Sequence, residues 1–149
     1  MNEIELMRRL KDSRSFRKLR IKSPFSITRF EHPIWINGNI CGYVDIIGKF
    51  RGQDIAIEVK GTRGEGRGGP SIFWDASKIL AYVKILARTS GKHYHPGVLI
   101  PKEAVSVEVM TMAAYLGMDL FSYSSNEETG GINLTDVFAV IKTGGKHGS

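Results

Sequence analysis

Near the N-terminus the apolar positions recur at helical spacing: Ile4, Met7 and Leu10 share a stripe, Leu6 lies beside them, and Arg8, Arg9 and Lys11 fall on the other side. That pattern predicts an amphipathic helix over residues 3–10. The cations Arg14, Arg17, Lys18, Arg20 and Lys22 follow before Pro24, a stretch suited to a solvated connector or to lying along phosphates. From Phe25 the period changes. Ile27, Phe30, Ile34, Trp35 and Ile36 are strand formers, and Asn37-Gly38 is a two-residue hairpin signal, so a second strand is expected over residues 40–47. Arg51-Gly52-Gln53-Asp54 is expected to turn the chain into a third strand over residues 55–60, with Ile55, Ile57 and Val59 alternating on one face.

Residues 61–69 hold five glycines with Arg63, Glu65 and Arg67 between them, a composition that packs no core and predicts a flexible loop. Beyond it, Asp75 is placed to cap a helix running to about Arg88, with Ile79, Val83 and Leu86 as its core stripe and Gly91 as its stop. A short buried strand is expected over 97–100, a helix over 105–116 and an edge strand over 119–122, while 132–141 fits strand or helix. The expected fold is α/β, a small mixed central sheet flanked by helices, in a single domain over 1–149 with a polar tail at 143–149.

Composition adds constraints to that frame. A 42% apolar and 24% charged chain is that of a globular protein. No apolar run reaches the ~20 residues of a membrane span, and the first ten residues lack a secretory apolar stretch, so the expectation is an intracellular protein, cytoplasmic or nucleoid-associated, with no membrane partner. The formal charge of +6 favours approach to a polyanion such as nucleic acid, although solubility alone accounts for such a charge equally well. The single cysteine, Cys41, rules out an internal disulfide framework and an iron–sulfur cluster held by one chain. It is expected as a small core residue. Any metal must therefore be held by oxygen or histidine.

The candidate chemistry lies in the second and third strands. Asp45 sits among Val44, Ile46 and Ile47, and Glu58 between Ile57 and Val59, each a carboxylate where an unpaired charge is costly. Strand alternation puts Glu58 and Lys60 on one face, and pairing of the two strands would let Asp45 and Glu58 converge. Two such carboxylates suit a hard cation such as Mg²⁺ or Mn²⁺. The metal and the Lys60 ammonium beside it would lower the pKa of a bound water and stabilise the phosphoryl transition state. The plainer reading is an exposed Glu58–Lys60 ion pair on an edge strand, with Asp45 bonded to nearby backbone.

Gly42-Tyr43-Val44-Asp45-Ile46-Ile47, then Ile55-Ala56-Ile57-Glu58-Val59-Lys60-Gly61-Thr62, then a helix ending in Leu80-Ala81-Tyr82 and the strand Gly97-Val98-Leu99-Ile100 form an ordered set of motifs. This set resembles the RecB-like branch of the PD-(D/E)xK nucleases, which includes the CRISPR-associated exonucleases. The resemblance implies a restriction-endonuclease-like core and a metal-dependent nuclease, endo- or exonucleolytic, a deoxyribonuclease with DNA as its expected substrate and RNA as the alternative. It implies Asp45 and Glu58 as metal ligands joined by the Val59 carbonyl, with Lys60 as the catalytic lysine. Members often carry a glutamine one turn before the helix tyrosine; here that position is Lys78, which shares a helix face with Tyr82. The family also tends to place an acidic or histidine residue in its first helix, where Glu3 and Glu5 are available, in an opening similar to that of archaeal Holliday-junction resolvases. Glu31 is a further candidate ligand, and Arg17, Lys18, Arg63, Arg67 and Lys78 are candidate nucleic-acid contacts.

The remaining features carry less. His93-Tyr94-His95 has the look of a ligand pair but falls in a loop after a helix. Trp35, Phe73 and Trp74 are suited to stacking on bases, with core packing the commoner use. The glycine loop lacks a terminal Gly-Lys-Ser or Gly-Lys-Thr, so no nucleotide cofactor is expected. Against the nuclease stands a non-catalytic nucleic-acid-binding protein or accessory subunit on the same fold, with a homo-oligomer or a protein partner possible in either case.

Overall fold

Asn37 and Gly38 adopt φ of 51° and 81°, and Arg51 and Gly52 adopt 52° and 79°. Two successive residues with positive φ make the tight turns whose twist matches paired antiparallel strands. The chain therefore reverses twice, joining β1 (Phe25–Ile36), β2 (Asn39–Phe50) and β3 (Gln53–Val59) into a meander. The second turn is tighter than the four residues expected, because Gln53 and Asp54 already pair with Phe50 and Lys49, and Lys49 Nζ lies 3.0 Å from Asp54 Oδ1.

The computed structural model of the protein describes residues 1–12, 24–61, 68–125, 128 and 130–139. Arg17, Lys18, Arg63, Arg67 and the tail at 143–149 lie outside the described residues. The helix α1 (Glu3–Lys11) opens the chain, and α2 (Gly69–Ala76) and α3 (Ile79–Ser90) separate β3 from β4 (His95–Pro101). A 3-10 turn (Lys102–Ala104) and α4 (Val107–Leu116) lead to β5 (Asp119–Ser125), and β6 (Ile132–Phe138) follows. Where one helix was expected over 75–88 there are two. Pro70, whose fixed φ suits a first helical turn, opens α2 well ahead of Asp75, which therefore lies inside a helix and not at its start. Gly91, at φ 71°, ends α3 as expected.

The six strands lie in chain order, β1 to β6. Pairing is antiparallel from β1 to β3, parallel from β3 to β5, and antiparallel again between β5 and β6. The strand beginning at Asp119 is not at an edge: it lies between β4 and β6 with Asp119 to Tyr123 all buried, and the segment that fitted either helix or strand is the edge strand β6.

Two apolar layers sandwich the sheet. On one face Ala56, Val98, Ile100 and Leu120 meet Ile72, Phe73, Ile79, Leu86 and Val109 from α2, α3 and α4. On the other, Ile55, Ile57, Val59, Leu99 and Phe121 meet Leu6 and Leu10 of α1. Each large side chain so buried contributes roughly 1.5–3 kcal/mol. The buried stripe of α1 is Leu6 and Leu10, four residues apart; Ile4 is 83% exposed, contrary to the expected register. Cys41 is exposed as well. It is the extra residue of a bulge, since Ile34 pairs with Gly42 and Trp35 with Ile40, and such an unpaired residue leaves the strand's alternation.

Gly48 lies where β1 crosses close: a Cβ there would collide with the Ser26 carbonyl oxygen. Gly48→Ala is expected to destabilise the protein by about 1–3 kcal/mol, measured as a lowered urea midpoint with unchanged slope; an unaltered midpoint would contradict this packing.

Candidate active site

The β2–β3 ladder runs from Phe50↔Gln53 to Ile46↔Ile57 and stops there. The next rung would set Asp45 against Glu58. Instead the Val59 N–H donates to Asp45 Oδ2 at 2.8 Å, a side chain taking the place of a strand carbonyl. The two strands part at this point. Val44 and Ile47 belong to the helix-covered core while Ile46 belongs to the α1 side, an arrangement that flat alternation forbids, so β2 turns about its axis through Asp45. On β3, Ile57 and Val59 face α1, which leaves Glu58 on the face of Ala56.

The other edge of β3 stays attached. Lys60 N–H donates to the Leu99 carbonyl at 2.9 Å, and the Tyr123 hydroxyl donates to the Lys60 carbonyl at 3.2 Å. Lys60 is thus fixed to β4 and β5 at the carboxyl ends of the parallel strands, the position where open α/β sheets hold ligands.

Two helices complete the cluster. The first turn of α1 passes over Gly61, where a Cβ would stand 2.7 Å from both Glu3 N and the Met1 carbonyl oxygen. That approach brings Glu3 Oε1 to 3.7 Å from Lys60 Nζ. At the start of α3, Lys78 Nζ lies 3.2 Å from Glu58 Oε2 and 6.0 Å from the centre of the Tyr82 ring. Tyr82 stands over β2 at Gly42, where a Cβ would come within 3.0 Å of its hydroxyl. Lys60 Nζ is 3.9 Å from Glu58 Oε2, an ion pair beyond hydrogen-bond length.

Glu58 is 3% exposed, and its Oε1 is buried without a hydrogen-bond partner. Burial first and the Asp45 charge second push its pKa up to about 8, against the pull of Lys78 and Lys60. Burial raises Asp45 too, opposed by the Val59 N–H, by Glu58 and by Lys78. Burial disfavours the Lys78 ammonium, but the Glu58 and Asp45 carboxyls outweigh it and raise its pKa. Two like charges in one desolvated pocket do not both ionise easily. A hard dication would resolve that conflict by accepting both carboxylates and the orphaned Oε1.

Of the residues singled out in the sequence, Asp45, Glu58, Lys60, Lys78, Tyr82 and Glu3 come together. Glu5 does not. Its carboxylate is held by Arg8 at 2.6 Å and Arg9 at 2.8 Å, and these bonds keep its pKa down at about 2. Glu31 takes a left-handed φ of 53°, and Lys11 Nζ occupies its Oε1 at 2.8 Å. His95 Nε2 contacts Asp119 Oδ1 at 2.9 Å, away at the opposite ends of β4 and β5. Phe73 is core, whereas Trp35 and Trp74 are more than half exposed. Among the described residues no group of three or more His, Cys, Asp and Glu side chains is gathered to hold a metal, so a cation here would rest on the acidic pair and backbone or solvent oxygen. Sequence reasoning missed Tyr123, which fixes the Lys60 backbone; a tyrosine in a buried strand needing a hydroxyl partner is the signal that could have found it.

No family model matches the chain, and no curated protein matches it in sequence. Among solved structures it is similar to an fdxN element excision controlling factor protein from Anabaena variabilis, at 15% identity and TM-score 0.50, over 72% of this chain and 84% of that one. It is similar to EndoMS in a complex with dsDNA, at 18% identity and TM-score 0.50, over 80% of this chain and 43% of that one. A repair endonuclease from Pyrococcus abyssi matches at 17% identity and TM-score 0.49, over 80% of this chain and 46% of that one. The chain thus spans less than half the length of these two endonuclease chains. The likeness establishes the fold: the mixed sheet flanked by helices that the sequence pattern anticipates, of the restriction-endonuclease-like kind that the motif resemblance implies.

Because the folded state raises the Glu58 pKa from 4.5 to about 8, it binds a proton that the unfolded chain releases at lower pH. The resulting stability is fully present below pH 4.5 and is lost as pH rises through about 8. With a chelator present, the melting temperature is expected to fall between pH 6 and pH 9, and Glu58→Gln is expected to flatten that fall. Identical pH profiles for the two proteins would contradict the buried-acid assignment.

Proposed function

We propose that this protein is a divalent-cation-dependent nuclease that hydrolyses phosphodiester bonds of DNA. The observation that carries this reading is the convergence of a buried carboxyl, Glu58, and a half-buried one, Asp45, with Lys60 and Lys78 at the carboxyl end of β3. The fold shared with EndoMS, a structure that includes dsDNA, supports the choice of substrate. The finer assignment, to the RecB-like branch, rests on the motif set around Asp45, Glu58, Lys60 and Tyr82.

Asp45, Glu58 and the Val59 carbonyl would hold Mg²⁺ or Mn²⁺, which when bound supplies Lewis acidity and an acidified water. Lys60, its backbone fixed by Leu99 and Tyr123, points its ammonium along the same wall and offsets charge gathering on the phosphoryl oxygens. Glu3 limits where that ammonium sits. Lys78, half exposed on a long stem, exchanges Glu58 for a substrate phosphate, and Tyr82 beside it contributes a hydroxyl. Since this chain matches 43% of the EndoMS chain, we assign the remaining DNA contacts to a second copy or to a protein partner.

One observation favours a second reading, a non-catalytic DNA-binding protein: Lys78 at 3.2 Å already neutralises Glu58 without any metal. Digestion of linear, circular and branched DNA with Mg²⁺ or Mn²⁺, against a chelator control, separates the two. Cleavage is expected only with metal, and Asp45→Asn, Glu58→Gln and Lys60→Ala are each expected to reduce it at least roughly 100-fold while circular dichroism stays unchanged. Inert wild-type protein at every metal tested, or undiminished cleavage by all three variants, rejects the nuclease.

A further inference from the structure

Between β1, the edge strand, and the C-terminal half of α3 lies a cavity of about 310 Å³ lined by Arg29, His32, Trp35, Leu86, Thr89 and Ser90. None of these residues belongs to the cluster at the end of β3. Leu86 lies eight residues beyond Lys78, about 12 Å along a helix, so the cavity is a separate place beside the site.

Its walls are of three kinds. Trp35, 53% exposed, offers an aromatic face, and Leu86 an apolar floor. Arg29 supplies a guanidinium, and Lys92 lies close enough to act electrostatically on His32. His32 lies between these, its ring 6.5 Å from that of Tyr94 and its Nδ1 buried without a hydrogen-bond partner. Burial, then Arg29, then Lys92 hold its pKa below the ordinary value, so at neutral pH it is an uncharged ring with one donor and one acceptor nitrogen. Among the described residues no carboxylate lines the cavity.

A ligand that matches this inventory has a flat π-face, polar edge atoms and an anionic group. Hydrophobic anions without a ring would leave Trp35 and the His32 nitrogen unused, and a bare phosphate would leave Leu86 and Trp35 unused. The volume stands at the lower end of the ~300–1,000 Å³ typical of small-ligand sites, enough for one base and its phosphate.

We propose that this cavity binds a single nucleotide unit, its base stacked on Trp35 and hydrogen-bonded to His32 and its phosphate at Arg29, as a subsite flanking the position of cleavage. The flanking role rests on the nuclease reading; the binding itself does not. The unit comes either from a DNA strand or from a free mononucleotide.

The test is calorimetric titration of the whole chain, in the presence of a chelator, with deoxyadenosine monophosphate, inorganic phosphate and a short oligodeoxyadenylate. The base-bearing ligands are expected to bind at least roughly tenfold more tightly than phosphate. Trp35→Ala and Arg29→Ala are each expected to weaken them by a similar factor, and Trp35→Phe to recover most of the loss. Oligonucleotide binding without mononucleotide binding identifies the strand as the source, and equal binding identifies the free nucleotide. Absence of binding by both base-bearing ligands, phosphate binding as tightly as whichever of them binds, or Trp35→Ala behaving as wild type overturns the proposal. Trp35-dependent binding in a protein that cleaves no DNA would remove the nuclease and keep the cavity; cleavage with no Trp35-dependent binding would do the reverse.

Discussion

Two acidic side chains are forced into one desolvated wall, and much of the local structure answers that constraint. Removing a carboxylate from water costs several kcal/mol even after relaxation, and here the second carboxyl aggravates the first. The Val59 N–H, Lys78 and Lys60 offset part of the cost. What stays uncompensated is a buried oxygen and a displaced titration, the local cost on which the proposed nuclease site rests.

The location of that strain follows from the topology. Strand β3 is antiparallel to β2 on one edge and parallel to β4 on the other. A hairpin partner is at liberty to diverge once its turn is left behind, whereas a parallel partner, covered by crossover helices, continues in register. Thus β3 loses one neighbour at Glu58 while keeping the other through Lys60. The opening is narrow, floored by backbone hydrogen bonds and flanked by the beginnings of α1 and α3. Side chains reach into it from four elements, yet the backbone at Lys60 is held on one side by β4 and by the hydroxyl of Tyr123.

Much of this was legible in the chain itself, and the parts that were not share a cause. Period-two alternation around Glu58 and the Asn-Gly turn are local signals, and both strands and turns are found where those signals lie. Lys78 and Tyr82 were recognisable as neighbours because four residues separate them on a helix. Glu5 and Glu31 stand apart from the cluster because Arg8, Arg9 and Lys11 reach them first, and such pairings depend on rotamers and on the packing angle of α1. Strand β5 was mistaken for an edge because its far neighbour, β6, has an ambiguous pattern of its own. Ile4 was assigned to the interior from its helical spacing and Cys41 from its residue type, whereas a helix rotation and a single inserted residue in β2 turn them outward.

The backbone of Met1 and Asn2 rests directly on Gly61, the residue immediately after Lys60. Whatever is joined ahead of Met1, a purification handle included, is therefore delivered to the mouth of the acidic pocket. Fusions at that end would report on the wall of the site as much as on the protein attached to them.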